Sequence, residues 1–129
     1  MKLTVVIEWP KGSRERWEWK GGGFVRTLEG LAAPVNYGFL PGIVNPADSE
    51  EVDAAVLGPP LRARTRSTAR LTGLVRLTDG DHKLVLTPGG GRYPEDEAAL
   101  LVWFEPERDA RLESADAAAR WLAELTRPT

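Results

Sequence analysis

Apolar and polar positions alternate along most of this chain. Leu3, Val5, Ile7 and Trp9 alternate with Thr4, Val6 and Glu8. That is the period-2 pattern of a half-buried strand, and Pro10 closes it. Lys11-Gly12-Ser13 reads as a turn. In the next alternating segment Arg16, Glu18 and Lys20 share one face, and Trp17 and Trp19 share the other. Gly21-Gly22-Gly23 predicts a hairpin turn into Phe24-Val25-Arg26. Asn36 to Gly42 reads as a strand and turn, and Ala54 to Leu57 as a short apolar strand. Residues 61–66, 71–77 and 83–87 read as strands, with Asp79-Gly80-Asp81 turning between the last two. Pro88 to Pro94 reads as a loop. Ala98 to Phe104 is apolar, and its β-rich end Val102-Trp103-Phe104 predicts a strand rather than a helix. Helical spacing is clear only in the last element. Ser114 is a plausible N-cap and Asp116 suits the helix dipole. Ala118, Trp121, Leu122 and Leu125 fall on one face, and Pro128 is expected to stop the helix. Many short strands and one terminal helix predict a mainly β fold, a small barrel rather than a parallel sheet. No repeat or linker divides the chain, so residues 1–129 read as a single domain.

Composition narrows the chemistry. The 129 residues are 42% hydrophobic and 28% charged, as in an ordinary globular protein with one core. No apolar run is long enough to span a membrane. Glu8 and Pro10 come too early for a signal peptide, so a cytoplasmic location is expected. The chain has no cysteine and one histidine. That excludes thiolate sites and most zinc designs, and leaves oxygen-ligated Mg²⁺, Mn²⁺ or Ca²⁺. A net charge of −2 gives no global pull toward nucleic acid or anionic lipid. Arg62, Arg64, Arg66, Arg70 and Arg76 nevertheless lie in a stretch without an acid. A solvated strand face and a polyanion-facing strand both fit that pattern.

The densest chemistry is Asp48-Ser49-Glu50-Glu51-Val52-Asp53, four carboxylates in six residues. A second pair, Asp79 and Asp81, is followed by Lys83. In a curling loop the first four converge, and converging carboxylates repel unless a divalent cation sits among them. Mg²⁺ suits a few carboxylates plus substrate phosphates, and an adjacent carboxylate can take a proton from water. The bland alternatives are an exposed acidic loop and a turn where Asp is common for local reasons. Glu8 ends the first strand opposite Trp9. Arg16 beside Glu18 fits a surface pair, Arg26 and Tyr37 fit structural roles, and His82 fits an exposed turn residue. The five tryptophans suit a core, or stacking on bases. No phosphate-binding GxxxxGK[ST] or GxGxxG motif is present.

These motifs together resemble the soluble family I inorganic pyrophosphatases. Val5-Val6-Ile7-Glu8-Trp9-Pro10-Lys11-Gly12-Ser13 is similar to that family's VIEIPKGS strand, and Arg16-Trp17-Glu18-Trp19 to its K-Y-E-Y. Arg26 falls at the arginine of its D-R motif. Asn36-Tyr37-Gly38-Phe39-Leu40-Pro41-Gly42 is close to NYGFIPGT. Asp48 to Asp53 stands at the signature D-G-D-P-x-D, and Thr72 to Asp79 with Asp81 and Lys83 resembles GVLxMxD…DxK. The resemblance implies an OB-like five-stranded barrel with flanking helices. It implies hydrolysis of pyrophosphate, or a related phosphate compound, to phosphate with several Mg²⁺ ions, Mn²⁺ being possible. Asp48, Asp53, Asp79 and Asp81 would be metal ligands. Glu50, with Asp53, would be catalytic, Glu50 as the base toward water. Arg16, Arg26, Tyr37 and Lys83 would bind phosphate oxygens, and Glu8 and Glu18 would support the site. A homo-oligomer is implied. Glu50 replaces an aspartate, Arg16 a lysine, Glu51-Val52 a P-L pair and Ala33 a tyrosine. The loop between Asp79 and Asp81 is shortened. Residues 89–99 are expected as a glycine-rich acidic loop, with no counterpart of the family's Tyr-Lys helix. Two other classes stay open. One is a catalytically impaired relative that binds a metal, a phosphate compound or a partner. The other, ranked last, is an OB-like nucleic-acid binder.

Overall fold

A computed structural model describes residues 1–127; the expected helix stop at Pro128 lies outside the described residues. The chain runs β1 (Lys2–Trp9), β2 (Glu15–Lys20), β3 (Gly23–Leu28), β4 (Asn36–Asn45), β5 (Glu50–Val56), β6 (Arg66–Arg76) and β7 (Lys83–Thr87). After β7 come α1 (Pro94–Trp103), β8 (Arg111–Ser114) and α2 (Ala115–Leu125). Strands pair in the order β1-β4-β5-β7-β6, and β6 returns to β1, closing a five-stranded barrel. Among the strand pairs of the described residues only β5–β7 is parallel, and β8 adds to the outside of β6. β2 and β3 form a separate hairpin. This is the mainly β small barrel that the alternation predicts, in the OB-like five-stranded form that the family resemblance implies.

The barrel interior is filled by every second residue of its strands, including Val5, Ile7, Val52, Ala54, Leu84 and Leu86. α2 packs on this cluster through Ala118 and Leu122, and Ser114 Oγ caps it by accepting from the Ala117 N–H at 3.2 Å. A second cluster outside the barrel, with Ala55, Val75 and Val85, lies beneath Leu100 of α1. β7 is therefore buried along its whole length. Two glycine sites carry steric meaning. A Cβ on Gly38 would overlap the Val6 carbonyl, so only glycine lets β4 approach β1. Gly21 and Gly22 have φ of 57° and 100°, the left-handed pair a two-residue hairpin turn requires.

Several expected elements differ. Ala98 to Phe104 is not a strand: α1 runs to Trp103. Pro94 at its first turn presets φ, and Glu95, Asp96 and Glu97 lie at the positive end of the dipole. These start signals outweigh the β preference of Val102-Trp103. Asp96 fastens the helix, accepting from Lys11 Nζ at 2.8 Å and from the Gly58 N–H at 2.8 Å. Residues 89–99 are thus loop only as far as Tyr93. Residues 61–65 are not strand either; Arg64 has φ 64°, and β6 starts at Arg66. His82 is buried rather than exposed, its Nδ1 accepting from the Leu77 N–H at 3.0 Å and its ring set edge-on to Trp121. Among the described residues no helix is long and apolar enough to cross a membrane.

Candidate functional site

The acidic stretch divides between a tight loop and a strand. Asp48 and Ser49 turn after β4, while Glu50 to Asp53 already belong to β5. Strand alternation sends Val52 into the core, so Glu51 and Asp53 point outward and Glu50 lies on the other side. The four carboxylates therefore do not converge as the loop reading expects. Glu51 accepts from the Gly42 N–H at 2.7 Å, and Asp48 accepts from the Glu50 N–H at 2.9 Å.

Asp53 meets the second acidic pair across the barrel rim. Lys83, at the start of the fully buried β7, donates to Asp53 at 2.7 Å and to Asp81 at 2.9 Å. Its side chain is only 6% exposed, so this ammonium is locked between two carboxylates. Arg108 lies just behind. Its Nε donates to Asp79 at 2.9 Å, its Nη2 lies 3.7 Å from Asp81, and its guanidinium covers Phe104 at 5.4 Å. Thr78 anchors the Arg108 turn, its N–H donating to the Arg108 carbonyl at 3.0 Å.

A cleft opens in front of these residues. Its inner part, about 210 Å³, is bounded by Glu8, Arg16, Tyr37, Asp53, Lys83 and Arg108 on an aromatic wall of Trp9, Trp103 and Phe104. It widens into a basin of about 750 Å³ bordered by Glu18, Asp48, Glu50 and Glu51. Glu8, Arg16 and Asp53 border both parts. Asp79 and Asp81 border neither; they hold Arg108 and Lys83 from behind. Arg26 lies outside the cleft. It is registered opposite Trp17, on the face of the hairpin turned away from Arg16, and pairs with Glu15 at 2.7 Å. Ala33 is buried and brings no polar side chain.

Electrostatics mark the same place. Burial raises the Glu8 carboxyl to about 7, against a 2.7 Å hydrogen bond from the Trp19 N–H that favours the anion; Asp53 adds to the rise. Burial, then Asp81 and Asp53, also raise Asp48, although the Glu50 N–H opposes them. Asp79 is lowered: burial raises it, but the Asp81 N–H, Arg108 and Lys83 together outweigh that. Burial and Asp53 push the Tyr37 phenol well up, and its buried hydroxyl has no hydrogen-bond partner. An orphaned buried donor is rare and calls for an explanation. Here it sits among Arg16, Lys83 and Arg108, in a cleft sized for an anion.

Among the described residues no three acidic or imidazole side chains stand close enough to grip one ion. The donors nonetheless suit a hard cation, being all carboxylate oxygens.

No protein-family model matches the chain, and no curated protein does. Solved structures do. The inorganic pyrophosphatase of Coxiella burnetii superposes with a TM-score of 0.79 at 19% identity, covering 95% of this chain and 92% of that one. The fold is that of the inorganic pyrophosphatases. The enzyme of Helicobacter pylori gives a TM-score of 0.77 at 24% identity over 96% and 91% of the two chains. That of Thermus thermophilus gives 0.75 at 19% over 98% and 92%. On this pyrophosphatase fold the cleft residues come from β1, β2, β4, β5, β7 and the turn after α1.

Sequence reasoning missed Arg108, Trp103, Phe104 and Glu105. Reading Ala98 to Phe104 as a strand hid them. Pro94-Glu95-Asp96-Glu97 is the helix-start signal that would have placed them at a helix end, and Pro106 marks the turn that delivers Arg108. Arg108 lies beyond residues 89–99, in the turn Pro106–Arg108 that follows α1.

Two predictions arise here. Asn45, 2% exposed, ties the acidic clusters together: its Nδ2 donates to the Gly80 carbonyl at 3.2 Å, and its Oδ1 accepts from the Ala47 N–H at 2.9 Å. Asn45→Ala is expected to cost about 1–3 kcal/mol of stability and to weaken divalent-cation affinity. Denaturant melts with and without Mg²⁺ read both effects. The second concerns pH. The folded state holds a proton on Glu8 that the unfolded chain has released. Its contribution to stability is therefore full below 4.5 and lost as pH rises through about 7. Thermal melts in chelator from pH 4 to 8 should fall across that window in the wild type, and fall less in Glu8→Gln.

Proposed function

We propose that this chain hydrolyses pyrophosphate to two phosphates in a Mg²⁺-dependent reaction, with Mn²⁺ able to substitute. The observation that carries the reading is the partnerless Tyr37 hydroxyl, buried where Arg16, Lys83 and Arg108 face one cleft beside Glu8 and Asp53. Pyrophosphate supplies what that arrangement lacks, a polyanion with acceptor oxygens for all four donors. The fold shared with pyrophosphatases supports the reading.

Asp48 and Asp53, with Asp79 and Asp81, would hold Mg²⁺. When bound, the ion supplies Lewis acidity toward phosphoryl oxygen and water. The chain's own residues do the rest. Arg16 and Tyr37 bind and orient the substrate in the inner cleft. Lys83 and Arg108 turn from their carboxylates toward phosphate oxygens and neutralise charge on the departing phosphate. Glu50, exposed at the rim of the basin, accepts the proton of the attacking water. Glu8 and Glu18 line the floor that positions Arg16. Arg26 stays outside this set and acts only through the hairpin. A cytoplasmic homo-oligomer accords with the family resemblance, and light scattering measures the assembly.

Tyr37→Phe tests the central donor. Removing an unsatisfied hydroxyl should leave stability unchanged or raise it by about 1 kcal/mol, while pyrophosphate turnover falls about 10- to 100-fold. The reaction class is tested by offering pyrophosphate, ATP and p-nitrophenyl phosphate with Mg²⁺. Phosphate release from pyrophosphate well above the other two is expected; equal release from all three, or none, overturns the reading. A second reading, binding without turnover, is favoured by Ala33, which replaces a phosphate-facing phenol with a buried methyl. It predicts that pyrophosphate and Mg²⁺ raise the melting temperature while no phosphate appears.

A further inference from the structure

The hairpin that contributes Arg16 and Glu18 to the acidic cleft has a second face, and its surroundings are of opposite charge. Trp17 and Trp19 lie on that face. Beside them run Arg62, Arg64, Arg66 and Arg70, all exposed. Among the described residues none of these four takes part in an ion pair, and neither does Lys2. Other arginines are paired: Arg26 with Glu15, Arg76 with Glu113, Arg92 with Glu97, Arg108 with Asp79 and Arg111 with Asp109. Arg14 and Arg120 also lack an ion pair among the described residues, but unpaired arginines are densest from Arg62 to Arg70, on a protein whose net charge is −2.

The strand ladder sets its spacing. Lys2 is registered opposite Arg70, Thr4 opposite Thr68 and Val6 opposite Arg66. Residues directly opposed in an antiparallel pair share a face. Lys2, Arg70, Arg66 and the hydroxyls of Thr4 and Thr68 therefore form a row on the outer wall, away from the core residues Val5, Ala69 and Leu71. Every second residue along a strand advances about 6.7 Å, the scale of successive phosphates in an extended polynucleotide.

At one end the row meets aromatic rings. Arg64 is one of few non-glycine residues with positive φ, at 64°, and its guanidinium lies 4.0 Å over the Trp17 ring. Backbone strain of this kind collects at functional sites. Next to it is a cavity of about 240 Å³ lined by the rings of Trp19, Phe24 and Phe39, by Arg64 and Arg66, and by one acid, Glu51, whose carboxylate accepts from the Gly42 N–H. Trp19 is 40% exposed and stands edge-on to Phe24 at 5.1 Å. A basic track that ends on exposed rings is the combination that binds single strands, phosphates on the cations and an unstacked base on the aromatics.

We propose that this face, formed by β1, the outer side of β6 and the Trp17–Trp19 side of the hairpin, binds single-stranded nucleic acid. The site adjoins the basin of the acidic cleft, with which it shares Trp19, Phe39 and Glu51, but does not depend on the reaction there. Fluorescence anisotropy with a labelled oligo(dT) of about 12 nucleotides tests it, at about 20 and 200 mM salt. Binding at low salt that weakens steeply with salt is expected. Replacing Arg62, Arg66 and Arg70 together by Gln should flatten the log–log salt slope by about 2, given about 0.7 per lost single-strand contact. Circular dichroism confirms that the variant is folded. Phe24→Leu should weaken oligo(dT) at least threefold and leave inorganic polyphosphate binding unchanged. Absence of binding at low salt overturns the proposal, as does binding indifferent to the arginine replacements. Equal affinity for a duplex of the same length also overturns it, and so does a Phe24→Leu variant that binds oligo(dT) as the wild type does.

Discussion

Lys83→Met is expected to lower unfolding free energy by about 2–3 kcal/mol in metal-free buffer and to cut pyrophosphate turnover by about 100-fold or more. The stability loss comes from the carboxylates left behind. The Lys83 ammonium is 2.7 Å from Asp53 and 2.9 Å from Asp81, which are 35% and 23% exposed. Removing the cation leaves two half-buried negative charges facing each other with Asp48 nearby. A fully buried pair would lose more; water reaches these acids and screens part of the cost. The same argument gives the variant a signature. With its internal cation gone, the acidic cluster should gain more from Mg²⁺ than the wild type does. Thermal melts across a Mg²⁺ titration read this directly. An equal Mg²⁺ response in both proteins would show that Lys83 and the metal do not compete for the same carboxylates.

Asp53→Asn is expected to reduce turnover about 10²- to 10³-fold with little change in stability. Asn keeps the side-chain volume and an acceptor oxygen for Lys83. Asp81 still pairs the ammonium at 2.9 Å. What disappears is a negative charge that, with Glu8 and Arg16, borders both parts of the cleft and acts on Glu8, Asp48 and Tyr37. The substitution therefore separates charge from shape. Steady-state kinetics give the rate, and calorimetric Mg²⁺ titration should show weakened binding. A variant with wild-type turnover would remove Asp53 from the chemistry.

How much of this could be read from the chain alone follows from where each signal is local. The barrel strands carry their information in period-2 alternation, and β1 and β2 lie where that pattern puts them. β7 differs in kind: buried from Lys83 to Thr87, it shows in the sequence as the continuous apolar run Leu84-Val85-Leu86 of a strand covered on both faces. α1 was hidden because its deciding features sit at its start, Pro94 and three acids, whereas its end is rich in β-formers. Missing the helix meant missing Arg108, which a strand would have aimed elsewhere. The acidic residues were visible as a cluster but not as an arrangement. Strand alternation splits Glu50 from Asp53, and only the barrel's closure brings Lys83 between Asp53 and Asp81 across 30 and 2 residues of chain. Arg26 shows the converse. Its register opposite Trp17 turns it from the cleft, and register is a property of two strands together.

The central claim is that the residues around Tyr37, Asp53 and Lys83 form a cation-dependent pyrophosphate-hydrolysing site. Phosphate release from pyrophosphate at neutral pH, followed across a Mg²⁺ titration and ended with a chelator, tests it most directly. The account predicts release that rises with Mg²⁺, stops on chelation and is nearly absent in Asp81→Asn. Release no greater than that of Asp81→Asn at any Mg²⁺ concentration, or release indifferent to the chelator, would contradict it.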